Sequence, residues 1–153
     1  MKSFVATVLV FLILDASVSA QMALEPLDRF PQATLNIITP DMRKHEFKIW
    51  VADTEARREQ GLMYVKSLPA NQGMLFIFNA PQKISMWMKN TLISLDMLFI
   101  AADGRIDSIA ANATPLSEKI ISSTGSVQTV LELKGGVVAK QGISAGAMVR
   151  LGK

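Results

Sequence analysis

The sequence predicts an all-β domain: a single β-sandwich or jelly-roll-like, partly closed barrel of about eight short strands with one or two short helical turns. Three observations predict it. Short apolar and β-branched runs recur along the chain, some of them strictly alternating. Turn chemistry separates the runs at fairly regular spacing, as at Pro40-Asp41, Asn71-Gln72-Gly73 and Asp103-Gly104. Sustained helical periodicity is almost absent.

Each element follows from local residue chemistry. Residues 34–39 are β-branched and apolar, a first strand ended by Pro40-Asp41. In the second, 45–51, Phe47, Ile49 and Val51 share one face, with Glu46, Lys48 and Trp50 on the other. Asp53 or Thr54 caps a short polar helix through Gln60, and Gly61 stops it. Residues 74–78 are apolar on both faces, an internal strand. Ala80-Pro81-Gln82 turns the chain into a strand over 84–88, and a further strand covers 95–101. Asp103-Gly104 signals a hairpin into 105–110. Residues 111–126, rich in Ser, Thr and Asn, read as loop. Strands follow at 127–133 and 148–151, with one helical turn between Gly135 and Gln141.

Residues 1–20 read as a secretory leader. Lys2 gives the positive start, Phe4 to Leu14 the apolar stretch, and Val18-Ser19-Ala20 the small-residue cleavage pattern. The expected organisation is a removed leader over 1–20, a flexible lead-in over 21–33 and one β domain over 34–153. The expected location is the bacterial periplasm or the medium. No later run is long and apolar enough for a membrane helix, so no stable membrane insertion is expected after cleavage.

The 50% hydrophobic content is inflated by that leader. With no cysteine, the chain has no disulfides, thiol nucleophiles or thiolate metal sites. With one histidine, His45, read as a surface residue in a turn, no His-rich metal cluster is possible. The net charge of +3 is spread along the chain, which argues against nucleic acid as a partner.

The informative residues are polar ones inside apolar strands. Strand parity places Asp96 on a face with Leu98 and Ile100, Glu132 with Val130, and Lys89 with Trp87. A charge on an apolar face costs several kcal/mol unless it is paired or kept near water. Two arrangements satisfy that rule. One is an internal ion pair, such as Lys89 with Asp96. The other is a polar cluster lining a pocket, with Arg58 joining it and Trp87 as an apolar wall. Met86-Trp87-Met88 also suggests Cu(I), which thioethers bind, although parity sets both methionines opposite Trp87. Methionine is equally a core filler. No cofactor is expected from the sequence.

Four blocks carry a family resemblance: Arg58-Glu59-Gln60-Gly61-Leu62-Met63, Gly73-Met74-Leu75-Phe76, Trp87-Met88-Lys89-Asn90-Thr91 with Leu95-Asp96, and Leu131-Glu132-Leu133 before Gly136. Together they resemble the family called domain of unknown function 192, over about residue 34 to 151. The resemblance implies a small exported β domain and no established activity. The chain departs from the family pattern at Val65, where an arginine is frequent, at Ser94, where a proline is frequent, and at Ala147, where an aspartate is frequent. Arg58, Lys89, Asn90, Asp96 and Glu132 match the family's polar positions.

The first functional expectation is a non-enzymatic binding module for a small polar or anionic ligand or a peptide. Its site would be Arg58, Trp87, Lys89, Asn90, Asp96 and Glu132. Two alternatives stand beside it. One is a hydrolase- or lyase-type enzyme using Asp96 or Glu132 as base with Lys89 as stabiliser. The other is a domain in which the same charges only hold the fold.

Overall fold

A computed structural model describes residues 23–152. The expected leader lies outside the described residues. The elements are β1 (Gln32–Ile38), β2 (Lys44–Ala52), α1 (Glu55–Gln60), β3 (Gln72–Gln82), β4 (Ser85–Met86), β5 (Leu95–Ile100), β6 (Ile106–Ala113), β7 (Ile121–Ser122), β8 (Val127–Lys134), α2 (Val137–Gln141) and β9 (Met148–Leu151). The chain is all-β, as its patterning predicts.

Seven strands form one sheet in the order β6-β5-β8-β3-β2-β1-β9, while β4 and β7 pair as a separate ribbon. Within the large sheet β2 and β3 run parallel and every other pair is antiparallel. The parallel step needs a crossover, which carries α1 over the sheet. The sheet curls until its two edges touch. Arg105 bridges Met148, and the Val149 amide donates to the Gly104 carbonyl at 2.8 Å. Of the alternatives the sequence left open, the fold is therefore the partly closed barrel.

Both faces of the sheet are buried, and strand parity sorts the side chains. The inner face gathers Leu35, Ile37, Phe47, Ile49, Leu75, Leu98, Leu131 and Leu133, plugged by Val137 and Val138 of α2. The outer face gathers Met74, Phe76, Leu95, Met97, Phe99, Val127 and Val130, covered by Phe30, Leu62, Leu68, Ile84 and Met88 from the loops. All six residues of β5 are buried. Burying a large aliphatic or aromatic side chain contributes roughly 1.5–3 kcal/mol. With no disulfide, these two apolar layers are the main source of stability.

Four expectations change. The stretch read as loop over 111–126 continues β6 to Ala113 and forms β7. Ala80-Pro81-Gln82 does not end β3. The strand runs through it with a register shift between Ile77 and Gln82, an edge position where proline is tolerated. The strand expected over 84–88 shrinks to Ser85–Met86. The lead-in is fastened over its described part. Phe30 is buried in the outer core, Glu25 pairs with Arg57 at 3.0 Å, and the Glu25 backbone exchanges two 2.7 Å hydrogen bonds with the Gln60 amide.

Asp96 is the first correction among the site residues. It points to the inner face, 0% exposed, and pairs with neither Lys89 nor any other cation among the described residues. One carboxylate oxygen accepts from the Asn112 amide at 2.8 Å and the other from the Val138 amide at 2.9 Å. The first bond holds Asn112, at φ 53°, in the left-handed conformation where β6 is irregular. The second satisfies an orphan N–H in the first turn of α2, whose N-cap Gly136 has no side chain to do so. Removing this acceptor would leave two backbone amides without a partner, at a cost of roughly 1–3 kcal/mol each. Asp96→Ala is expected to lower unfolding free energy by roughly 3 kcal/mol or more in denaturant titration, whereas Lys89→Ala changes it by less than about 1 kcal/mol. Equal effects would contradict this assignment.

Candidate functional site

The crossover helix builds one wall of the site. Thr54 caps α1, its side chain accepting from the Arg57 amide at 3.3 Å. Gly61 ends it at φ 50°, and a Cβ there would lie 3.1 Å from the Phe76 ring. That close approach seats the helix terminus on β3. Arg57 fastens the other side to Glu25 and Asp53, at 3.0 and 2.9 Å, over the Phe30 ring. These carboxylates hold its proton more tightly than usual, and Arg57 in turn holds Glu25 below the usual carboxylate range.

Between α1, β3, β8 and the loop after β4 lies a cleft of about 320 Å³. Its apolar lining includes Leu62, Met63, Phe76, Phe78, Met86 and Trp87. Arg58 and Lys89 stand in its walls, with Glu55 and Glu59 on the exposed side of α1. Glu132 also lines it. Every sequence block that carried the family resemblance contributes to this lining, through Arg58, Phe76, Lys89 and Glu132.

Glu132 is 4% exposed and occupies the outer face of β8. Its strand neighbours are Met74 on β3 and Met97 on β5, both fully buried. Gly73 lets β3 come this close, because a Cβ there would collide with the Glu132 carbonyl oxygen. Among the described residues the carboxyl has no hydrogen-bond or ion-pair partner. Burial in this apolar setting is the cause of its shift, and the carboxyl is pushed up to about 8. At neutral pH it is a neutral acid with an O–H to donate into the cleft.

Asp96 and Glu132 occupy neighbouring strands but opposite faces, so of the two carboxyls offered as a base only Glu132 lines the cleft. Asp96↔Leu133 and Met97↔Glu132 are the paired positions, and successive residues face opposite ways. Lys89 lies where expected, with Nζ 5.1 Å from the Trp87 ring centroid, a cation–π contact. Arg58 stacks over Phe78 at 5.3 Å and donates through Nη1 to the carbonyls of Asp53 and Ile77, at 3.0 and 2.9 Å. It closes the gap where β2 leaves β3, so it is partly structural. Asn90 stands outside the cleft, in an adjoining wider recess, and its Nδ2 donates weakly to Met63 Sδ at 3.9 Å.

Met86 corrects another expectation. The ribbon strand ends there, so alternation stops and Met86 lines the cleft beside Trp87. Met88, Met74 and Met97 are fully buried core filler. Among the described residues no three His, Asp or Glu side chains converge as a metal site. His45 stands at the start of β2, as its strand pattern implies, with a buried Nε2 that has no partner among the described residues. Its strand partner Ile37 belongs to the inner core, far in topology from the cleft. Sequence reasoning missed Leu62, Met63, Phe76 and Phe78 as lining residues, since they carry the same apolar signal as core.

The pH dependence follows from Glu132. Unfolded, it ionises near its ordinary 4.5; folded, near 8. Between those values the folded chain holds the extra proton, so its stabilising effect is complete below 4.5 and is lost as pH rises through 8. The expected slope across that window is a loss of about 1.4 kcal/mol per pH unit in chemical denaturation. Glu132→Gln removes this component. An unchanged slope in that variant would contradict the assignment.

The family model for domain of unknown function 192, described as an uncharacterized ACR, matches residues 36–151. A solved structure of a candidate transcription regulator from Sinorhizobium meliloti 1021 is similar at 43% identity and a TM-score of 0.79, covering 80% of this chain and 95% of that one. A protein of unknown function from Novosphingobium aromaticivorans DSM 12444 is similar at 34% identity and a TM-score of 0.78, covering 84% and 91%. No curated protein matches the chain. The family model spans most of the chain and its blocks surround one cleft, so this protein belongs to the domain of unknown function 192 family.

Proposed function

We propose that this protein is an exported, non-enzymatic binding module whose cleft takes a small ligand with an apolar body and a hydrogen-bond-accepting or anionic group. The observation that carries the reading is Glu132, a buried residue whose carboxyl has no partner among the described residues and lines an open cleft with apolar and charged walls. Its carboxyl faces the cleft, where a ligand acceptor placed against it gains a hydrogen bond in a partly apolar setting. Arg58 and Lys89 are half-buried and screened less than Glu55 and Glu59, which are exposed. An anionic group therefore meets net attraction inside the cleft. The leader pattern of residues 1–20 supports export.

A second reading draws on the same carboxyl. An acid pushed up to about 8 beside an open cleft suits general acid–base chemistry near neutral pH. Glu132 would then act without Asp96, and turnover of the bound ligand would distinguish this reading from simple binding.

The test is calorimetric titration with small carboxylates, N-acetyl-leucine among them, from pH 6 to 9.5. The expected result is saturable binding that is level below pH 8 and weakens about tenfold per pH unit above it, as Glu132 loses the proton it donates. Lys89→Met is expected to weaken binding about tenfold at pH 7 with little change in stability. No saturable binding of any carboxylate, or affinity that rises through pH 8, overturns the reading.

A further inference from the structure

The cleft does not end at Glu132 and Trp87. It opens into a wider recess of about 700 Å³ that shares Glu59, Gln60, Met63, Trp87 and Lys89 with it and adds Leu24, Tyr64 and Asn90. The recess has a built floor. Tyr64 is held at φ 62° and Asn90 at φ 55°, and the Tyr64 amide donates to the Asn90 carbonyl at 2.9 Å. A left-handed tyrosine is strained, and such strain persists only where the surroundings enforce it. Here it leaves Tyr64 49% exposed near Trp87, which is 44% exposed. Aromatic rings presented this way give large apolar contact at low conformational cost.

Taking the proposed cleft as a binding site, we infer that its ligand is the C-terminal end of a peptide, with the terminal carboxylate among Glu132, Lys89 and Arg58 and the preceding residues lying across Trp87, Met63, Tyr64 and Leu24. Charge complementarity favours this occupant. Lys89 and Arg58 have no carboxylate partner among the described residues. The apolar walls of the inner cleft suit one hydrophobic side chain beside that carboxylate. The recess combines apolar groups with hydrogen-bonding ones, Glu59, Lys89 and Asn90. An alkyl chain would bury these polar groups unpaired, and a sugar would set its hydroxyls against Leu62, Phe76 and Met86 in the cleft. A peptide backbone satisfies the polar groups while its side chains meet the rings.

The experiment compares three probes on the intact mature chain by calorimetry: N-acetyl-leucine, the tetrapeptide acetyl-Ala-Val-Phe-Leu with a free carboxylate, and the same peptide amidated. The tetrapeptide is expected to bind at least tenfold more tightly than N-acetyl-leucine, and amidation to weaken it at least tenfold. Tyr64→Ala and Leu24→Ser are expected to lower tetrapeptide affinity severalfold and leave N-acetyl-leucine unchanged. Binding of N-acetyl-leucine with no gain from the longer peptide, or equal binding of the amide, overturns this inference and leaves the cleft as a small-ligand site. Failure of N-acetyl-leucine and both peptides to bind overturns the proposed cleft itself.

Discussion

The constraint on which this structure depends is that the middle of its sheet is buried on both faces. β5, β8 and β3 have apolar layers inside the curl and outside it, and no disulfide shares the task of holding them. A polar side chain on these strands cannot reach bulk water easily. It must find partners in the protein, or remain neutral and wait for one from outside. The two carboxyls of this region take the two different courses. Asp96 finds two backbone amides and becomes part of the scaffold. Glu132, on the next strand and the other face, finds none among the described residues, and burial pushes its pKa up.

The scaffold then delivers the cleft around Glu132. Because β2 and β3 are parallel, the chain must cross over, and the crossover lays α1 beside the open end of β3. Arg58 seals the gap by donating to carbonyls on both sides of it. Gly61 and Gly73 permit the two close approaches, helix terminus onto Phe76 and β3 onto β8, that a side chain would prevent. The lead-in pins the far side of α1 through Glu25. The same elements that complete the fold thus form the cleft walls, which is why a cleft can stay open in so small a core.

Much of the fold was legible in the sequence, because alternation reports burial directly. Phe47, Ile49 and Val51 share a face as their spacing says, and the all-β class follows from runs and turns. What one strand's pattern cannot report is its phase relative to another strand. Asp96 and Glu132 each looked buried, and each is, but their placement on opposite faces needed the β5–β8 register. Strand ends were equally hidden: parity separated Met86 from Trp87, and the early end of β4 brings both to the cleft. The burial rule pointed to Arg58, Trp87, Lys89 and Glu132, which the structure brings together; Asn90, which entered with the family motif, stands in the adjoining recess. It could not find Met63, Phe76 or Tyr64. An apolar side chain facing a cleft carries the same local signal as one facing core, and a left-handed tyrosine carries none.

The central claim is that Glu132 stands in the cleft as an acid with a raised pKa and no partner among the described residues. Its side-chain carboxyl carbon can be followed by ¹³C NMR in selectively labelled, ligand-free protein as pH is raised, with Glu132→Gln identifying the resonance. The account predicts a single titration centred near 8, well above the ordinary 4.5. A midpoint near the ordinary 4.5 would mean that the carboxyl is solvated or paired, and would contradict it.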